Sequence, residues 1–152
     1  VRGGTAHCMV IISDEEIFSP FIDSADALII MNEPSLVKFK ERVKQNGTLF
    51  INKSLVKSKP EDSSARIIEV PFTDIAAELG NAKCANTVAL GAYLAVKKFT
   101  GSRAIGIVLN KMLFGLSPEI ITVNNKALER GMDYVRTNKT RNASTWWGER
   151  WF

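Results

Sequence analysis

The chain of 152 residues has one histidine and two cysteines, and His7 and Cys8 are the only adjacent base and thiol. Thr5–Ser13 reads as a strand, in which successive side chains point to opposite faces, so these two groups do not make a dyad with each other. Cys84 lies in the segment Gly80–Asn86, which leads into a helix, and a thiol at a helix start can have a lowered pKa. A small buried cysteine packed beside Ala85 is the commoner outcome for such a residue. No CxxC spacing occurs, and Asp14-Glu15-Glu16 is accounted for by a solvated turn, so no metal or cluster site built by this sequence alone is expected. Neither GxGxxG nor GxxxxGK[ST] occurs, and the Gly-Asp-Gly segment with downstream Asn-Asn that binds thiamine diphosphate is absent.

What remains is the chemistry of loops. Arg2-Gly3-Gly4 sets a guanidinium beside two residues without Cβ atoms. A ligand or partner can approach such backbone closely while Arg2 offers a fork for phosphate or carboxylate. Asn32-Glu33-Pro34-Ser35 and Asn52-Lys53-Ser54 each follow an expected strand, where α/β sheets place ligands. Taken together, Arg2, Gly3, Gly4, Asn32 and Asn52 suggest a ligand-facing edge. Ordinary turn chemistry explains the same residue types equally well.

The elements that would position these residues alternate between apolar runs and helical patterns. Thr5–Ser13, Ala27–Met31, Thr48–Asn52 and Arg66–Val70 read as strands. Leu36, Val37, Phe39, Lys40 and Val43 recur at helical spacing up to a stop at Gln45-Asn46-Gly47. Helices are expected at Asp74–Leu79, Asn86–Phe99 and Ala104–Phe114, with Gly80-Asn81 and Gly115 closing the first and third. Ser117-Pro118-Glu119 opens a last helix that runs to Val135. This order predicts an α/β, Rossmann-like three-layer domain with a mainly parallel sheet.

Composition agrees with that class: 45% hydrophobic and 24% charged residues describe a globular domain. No apolar run reaches the roughly 18 residues that span a bilayer. No membrane attachment is expected, and a cytoplasmic location is, because the first residues do not read as a signal peptide. In residues 136–152, Arg136, Lys139, Arg141 and Arg150 stand against Glu149 alone, so this polar, Trp-rich tail carries +3 of the net charge of +4. Residues 1–135 are therefore near neutral and show no basic face for nucleic acid. The tail reads either as a loose end or as a docking peptide anchored by its tryptophans. The sequons at Asn138 and Asn142 read as chance matches.

The order of several segments resembles the gamma subunit, or gamma domain, of 2-oxoacid:ferredoxin oxidoreductases. The segments are Arg2-Gly3-Gly4-Thr5, Ser13-Asp14-Glu15-Glu16-Ile17 with Pro20, Ala25-Asp26-Ala27-Leu28, Asn32-Glu33-Pro34 and Asn46-Gly47-Thr48-Leu49. Asn86…Leu90-Gly91 and Asn124…Ala127…Gly131 continue the series. The resemblance covers residues 1–135 as a gamma-type domain. Members normally begin earlier, with a strand and a Gly-x-Gly-Gly-Gln-Gly turn, so the resemblance implies an N-terminally incomplete domain with an unpaired strand edge or apolar face, and hence oligomerisation or partner dependence.

The resemblance implies oxidative decarboxylation of a 2-oxoacid to an acyl-CoA, with electrons passed to ferredoxin. Thiamine diphosphate and iron–sulfur clusters would be held by alpha, beta and, where present, delta subunits. This chain would shape the active-site or coenzyme A face without catalysing alone, with Arg2, Gly3 and Gly4 near that face and Asn32 and Asn52 beside it. A stand-alone Rossmann-like nucleotide- or CoA-binding module is the alternative, and a thiol enzyme built on Cys84 is a third reading.

Overall fold

A computed structural model describes residues 5–60, 64–97 and 102–141, without the side chains of residues 102, 103 and 139–141. The chain divides into two compact units, Val1–Glu69 and Val70–Phe152. The α/β expectation holds: a three-stranded sheet in the order β1-β2-β3 is accompanied by helices, and β1 and β2 run parallel.

The first unit is built on β1 (Ala25–Ile30), α1 (Glu33–Phe39), β2 (Val43–Asn52) and the start of β3 (Arg66–Val70). β2 is the central strand, and Thr48 through Asn52 are all buried. Leu49 and Ile51 point to one face, where Ile30, Leu36, Phe39 and Val56 complete a core, while Phe50 is buried on the other. α1 closes over this core because its apolar positions Leu36 and Phe39 fall on one side of a short helix, capped by Asn32 and opened by Pro34 near its start.

Two expectations change here. The helix after Pro34 ends at Phe39, a single tight turn at Lys40–Arg42 follows, and β2 starts at Val43. Gln45-Asn46-Gly47 is therefore a bulge within a strand and not a helix stop. Ala25 pairs with Val43 but Ala27 with Thr48, so three extra residues are looped out of β2. Asn46 takes the left-handed conformation, φ 62°, that this residue type tolerates, and its N–H donates to the Ser64 carbonyl (3.2 Å). A Cβ on Gly47 would lie 2.8 Å from the Lys44 carbonyl oxygen, so the bulge closes only around glycine. The pattern that suggests a helix stop and the pattern that makes this bulge are the same residues, Asn46-Gly47, with Asn46 at a positive φ.

Thr5–Ser13 is the larger correction. It forms no strand, and Val10 and Ile12 are exposed. The β-branched run has the local preference for extended backbone, but a strand exists only where a neighbour takes its hydrogen bonds. The exposure continues through Ile17, Phe18 and Phe21.

The second unit is helical: α2 (Phe72–Glu78), α3 (Ala85–Val96), α4 (Ser102–Met112) and α5 (Pro118–Arg141). Gly80, at φ +86°, ends α2 with its N–H on the Ala77 carbonyl (2.9 Å). Gly115, at φ +90°, turns the chain between α4 and α5. α5 runs six residues beyond the expected end at Val135, so the start of the polar tail is helical to Arg141; the tryptophans lie outside the described residues.

The core of this unit is the crossing of α3 and α5. A Cβ on Gly91 would collide with the Leu128 carbonyl oxygen, and one on Gly131 with the Val88 carbonyl oxygen. Each helix thus sets a glycine against a carbonyl three residues before the other's glycine, a reciprocal backbone contact that only hydrogen at Cα permits. Ala92 and Ala127 are fully buried, and Thr87 Oγ1 donates to Asn124 Oδ1 (2.7 Å). Asn124 Nδ2 in turn donates to the Ile120 carbonyl (2.9 Å), so this buried polar pair is satisfied. The two late sequence patterns, Leu90-Gly91 and Asn124…Ala127…Gly131, are the two sides of this contact.

Candidate functional site

The carboxyl ends of β1 and β2 are adjacent because the strands are parallel, and the two asparagines singled out from the sequence stand there. Asn52 is fully buried at the end of β2, and its Nδ2 donates to the Met31 carbonyl (3.0 Å), tying the two strand ends together. Asn32 is half-buried, and its Oδ1 accepts the Ser35 N–H (3.0 Å) to cap α1. The structure therefore brings Asn32 and Asn52 to one edge and gives both side chains positioning work there. Arg2, Gly3 and Gly4 lie outside the described residues.

After Asn52 the chain turns at once: the Leu55 and Val56 N–H groups donate to the Asn52 carbonyl (3.1 and 2.9 Å), and Val56 drops into the core. The following segment is held by Glu33, the first residue of α1. Its Oε2 accepts the Lys57 N–H (2.7 Å) and, more weakly, the Ser58 N–H (3.4 Å). Hydrogen bonds from the Ser58 side chain and from these backbone amides hold the Glu33 carboxyl below its ordinary pKa, since each favours the charged acceptor. Lys53 lies 3.9 Å from Glu69. The result is a polar rim, with Ser54 and the lysines 53 and 57 along it, set by one buried amide and one carboxylate.

Glu33 is the residue that sequence reasoning passed over. A glutamate in the first turn of a helix, just before proline, is an ordinary dipole complement, and only the fold shows that it also clamps a loop 24 residues away. The sequence offers His7 only as a base or a metal ligand, yet its ring packs on Phe39 at 4.8 Å between centroids. Lys38 Nζ and Arg42 Cζ lie 5.3 and 5.5 Å from the same ring, so Phe39 collects cationic neighbours around a mostly buried face.

Cys84 sits in a single tight turn, Ala82–Cys84, immediately before α3, and its side chain is buried. Burial pushes the thiol's pKa up, opposite to the lowering a helix start can produce, so this cysteine is a packing residue. Cys8 is exposed. Among the described residues no group of three or more histidine, cysteine or acidic side chains is arranged to hold a metal ion, so the donor set here does not fit an iron–sulfur cluster. No helix among them is long and apolar enough to cross a membrane.

Residues 1–134 match the family described as pyruvate ferredoxin/flavodoxin oxidoreductase. The ketoisovalerate oxidoreductase subunit VorA of Methanothermobacter marburgensis is 34% identical over 137 residues, which is 90% of this chain and 28% of VorA. The chain thus spans little more than a quarter of that relative. Among solved structures, the gamma subunit of a keto/oxoacid ferredoxin oxidoreductase from Geobacter sulfurreducens aligns with a TM-score of 0.66 at 23% identity, covering 74% of this chain and 64% of that one. The 2-oxoglutarate:ferredoxin oxidoreductase of Magnetococcus marinus, solved with 2-oxoglutarate, coenzyme A and succinyl-CoA, aligns at 0.71 and 18% identity over 82% of this chain and 22% of that one. The two structures share the fold. With the family pattern matched from residue 1 to 134, the chain belongs to the pyruvate ferredoxin/flavodoxin oxidoreductase family.

Proposed function

We propose that this chain is the gamma-type component of a cytoplasmic 2-oxoacid:ferredoxin oxidoreductase and that it forms the coenzyme A face of the active site. The family match over residues 1–134 carries the reading. In the reaction the bond between C1 and C2 of the 2-oxoacid breaks with loss of CO2. The acyl carbon becomes bonded to the sulfur of coenzyme A, and two electrons pass to ferredoxin. Thiamine diphosphate and iron–sulfur clusters supply the decarboxylation and electron-transfer chemistry, and we assign them to alpha, beta and, where present, delta subunits. In this chain, Arg2 supplies a guanidinium fork for a phosphate of coenzyme A, and Gly3 and Gly4 let the ligand approach the backbone. Asn52 and Asn32 act as positioning residues, fixing the strand ends from which the Lys53–Ser58 rim is presented.

Reconstitution with alpha and beta subunits from the same genome tests the proposal, read as CoA-dependent reduction of a viologen dye by a panel of 2-oxoacids. Activity should require this chain, and Arg2→Ala should raise the KM for coenzyme A about tenfold while leaving the KM for the 2-oxoacid unchanged. Full activity of the complex without this chain would overturn the reading. So would coenzyme A binding by the chain alone with no assembly, which is the behaviour of a stand-alone binding module.

A further inference from the structure

The outer side of α4 and the turn after it carry exposed apolar side chains among the described residues. Ile105, Leu109 and Leu113 repeat every four residues and pack inward, with Leu94 and Leu128. The neighbouring ridge of the same helix, Ala104, Val108 and Met112, has the same spacing but is exposed. Val108 and Met112 are joined by Ile107, by Phe114 and Leu116 on the turn, and by Ile120 at the start of α5. Met112 is 78% and Phe114 89% exposed, and each of the others exceeds a third. With side-chain areas of about 150–200 Å², these exposures add up to roughly 600 Å² of apolar surface. One side of a standard protein–protein interface buries ~800 Å².

We infer that this ridge is the docking face for an apolar helix of a partner subunit of the oxidoreductase; the inference rests on the reading of this chain as one component of that complex. Three features favour such an occupant. The area approaches one half of a standard interface. The i, i+4 ridge of Ala104, Val108 and Met112 is the surface into which a second helix interdigitates. Met112, flexible, polarisable and 78% exposed, suits an apolar partner.

The test co-expresses the full chain with the alpha and beta subunits and follows assembly by size exclusion with light scattering. Met112→Glu combined with Phe114→Ser changes two solvent-facing side chains, so the free variant should melt within about 2 °C of the parent. Val37→Glu, on an exposed apolar residue of the first unit, is the control. The expected result is a complex whose affinity falls at least about tenfold for the double variant and not for the control. Assembly equal to that of the parent would overturn the inference. A parent chain that self-associates, with the double variant monomeric, would overturn it in favour of a second copy. If the unsubstituted chain fails to join the alpha and beta subunits, the functional reading itself falls, and that arm is read before any variant is compared.

Discussion

In the first unit a glycine with no room for a Cβ lies within a strand, where Gly47 lets β2 fold three extra residues out of register beside β1. In the second such glycines lie between two helices, where Gly91 and Gly131 each face a carbonyl of the other helix. The bulge is local: it re-aims one end of β2 and leaves the buried run from Thr48 to Asn52 intact. The crossing is global to its unit, because α3 and α5 have no other way to lie so close. The first unit places its irregularity at the start of β2, at the opposite end of that strand from Asn52, and the second places its small residues where two helices cross. The polar rim belongs to the first.

The largest effect should come from the crossing. Gly131→Ala gains helix propensity of about 1 kcal/mol but forces a methyl into the Val88 carbonyl, for a net loss of about 3 kcal/mol in urea unfolding. Gly106→Ala in α4 is the internal contrast. Its Cβ would meet nothing within 4 Å, so the same substitution should stabilise by about 0.5–1 kcal/mol. Equal responses from the two glycines would show that the crossing is looser than described.

At the strand ends, Asn52→Leu keeps most of the buried volume but removes the donor to the Met31 carbonyl, with an expected loss of about 2 kcal/mol in the same assay. A neutral result would mean that the two strand ends are held independently of this amide.

The smallest effect lies at the rim and is best read by titration. Because the Glu33 pKa is lowered on folding, its contribution is present above the ordinary glutamate value of about 4.3 and is lost as pH falls through the lower folded value. The Lys57 amide resonance should therefore shift with a midpoint below the ordinary glutamate range, and Glu33→Gln should abolish the titration. A midpoint at the ordinary value would show that the clamp is not formed in solution.

Much of this architecture was readable in advance. β3 occupies the Arg66–Val70 run expected for it, and α2, α3 and α4 fall within a few residues of their patterns, since apolar periodicity and Gly stops are local signals. The site was only partly readable. Asn32 and Asn52 were placed at strand ends correctly, but their hydrogen bonds turn inward to Ser35 and Met31, which no spacing reveals. Glu33 was invisible as a clamp because its partners, Lys57 and Ser58, are brought to it only by the folding of β2 against β1.

By itself the sequence determined the α/β class, the order of its later elements and the set of segments that mark its family, because these depend on residue types and spacings along one stretch of chain. Tertiary structure alone decided that Thr5–Ser13 lies outside the sheet, that Asn46-Gly47 is a bulge, and that Gly91 and Gly131 are contact points between helices. Each of those outcomes depends on which backbone groups come within hydrogen-bonding or van der Waals reach across long sequence separations, and the same residues in isolation favour other conformations equally well.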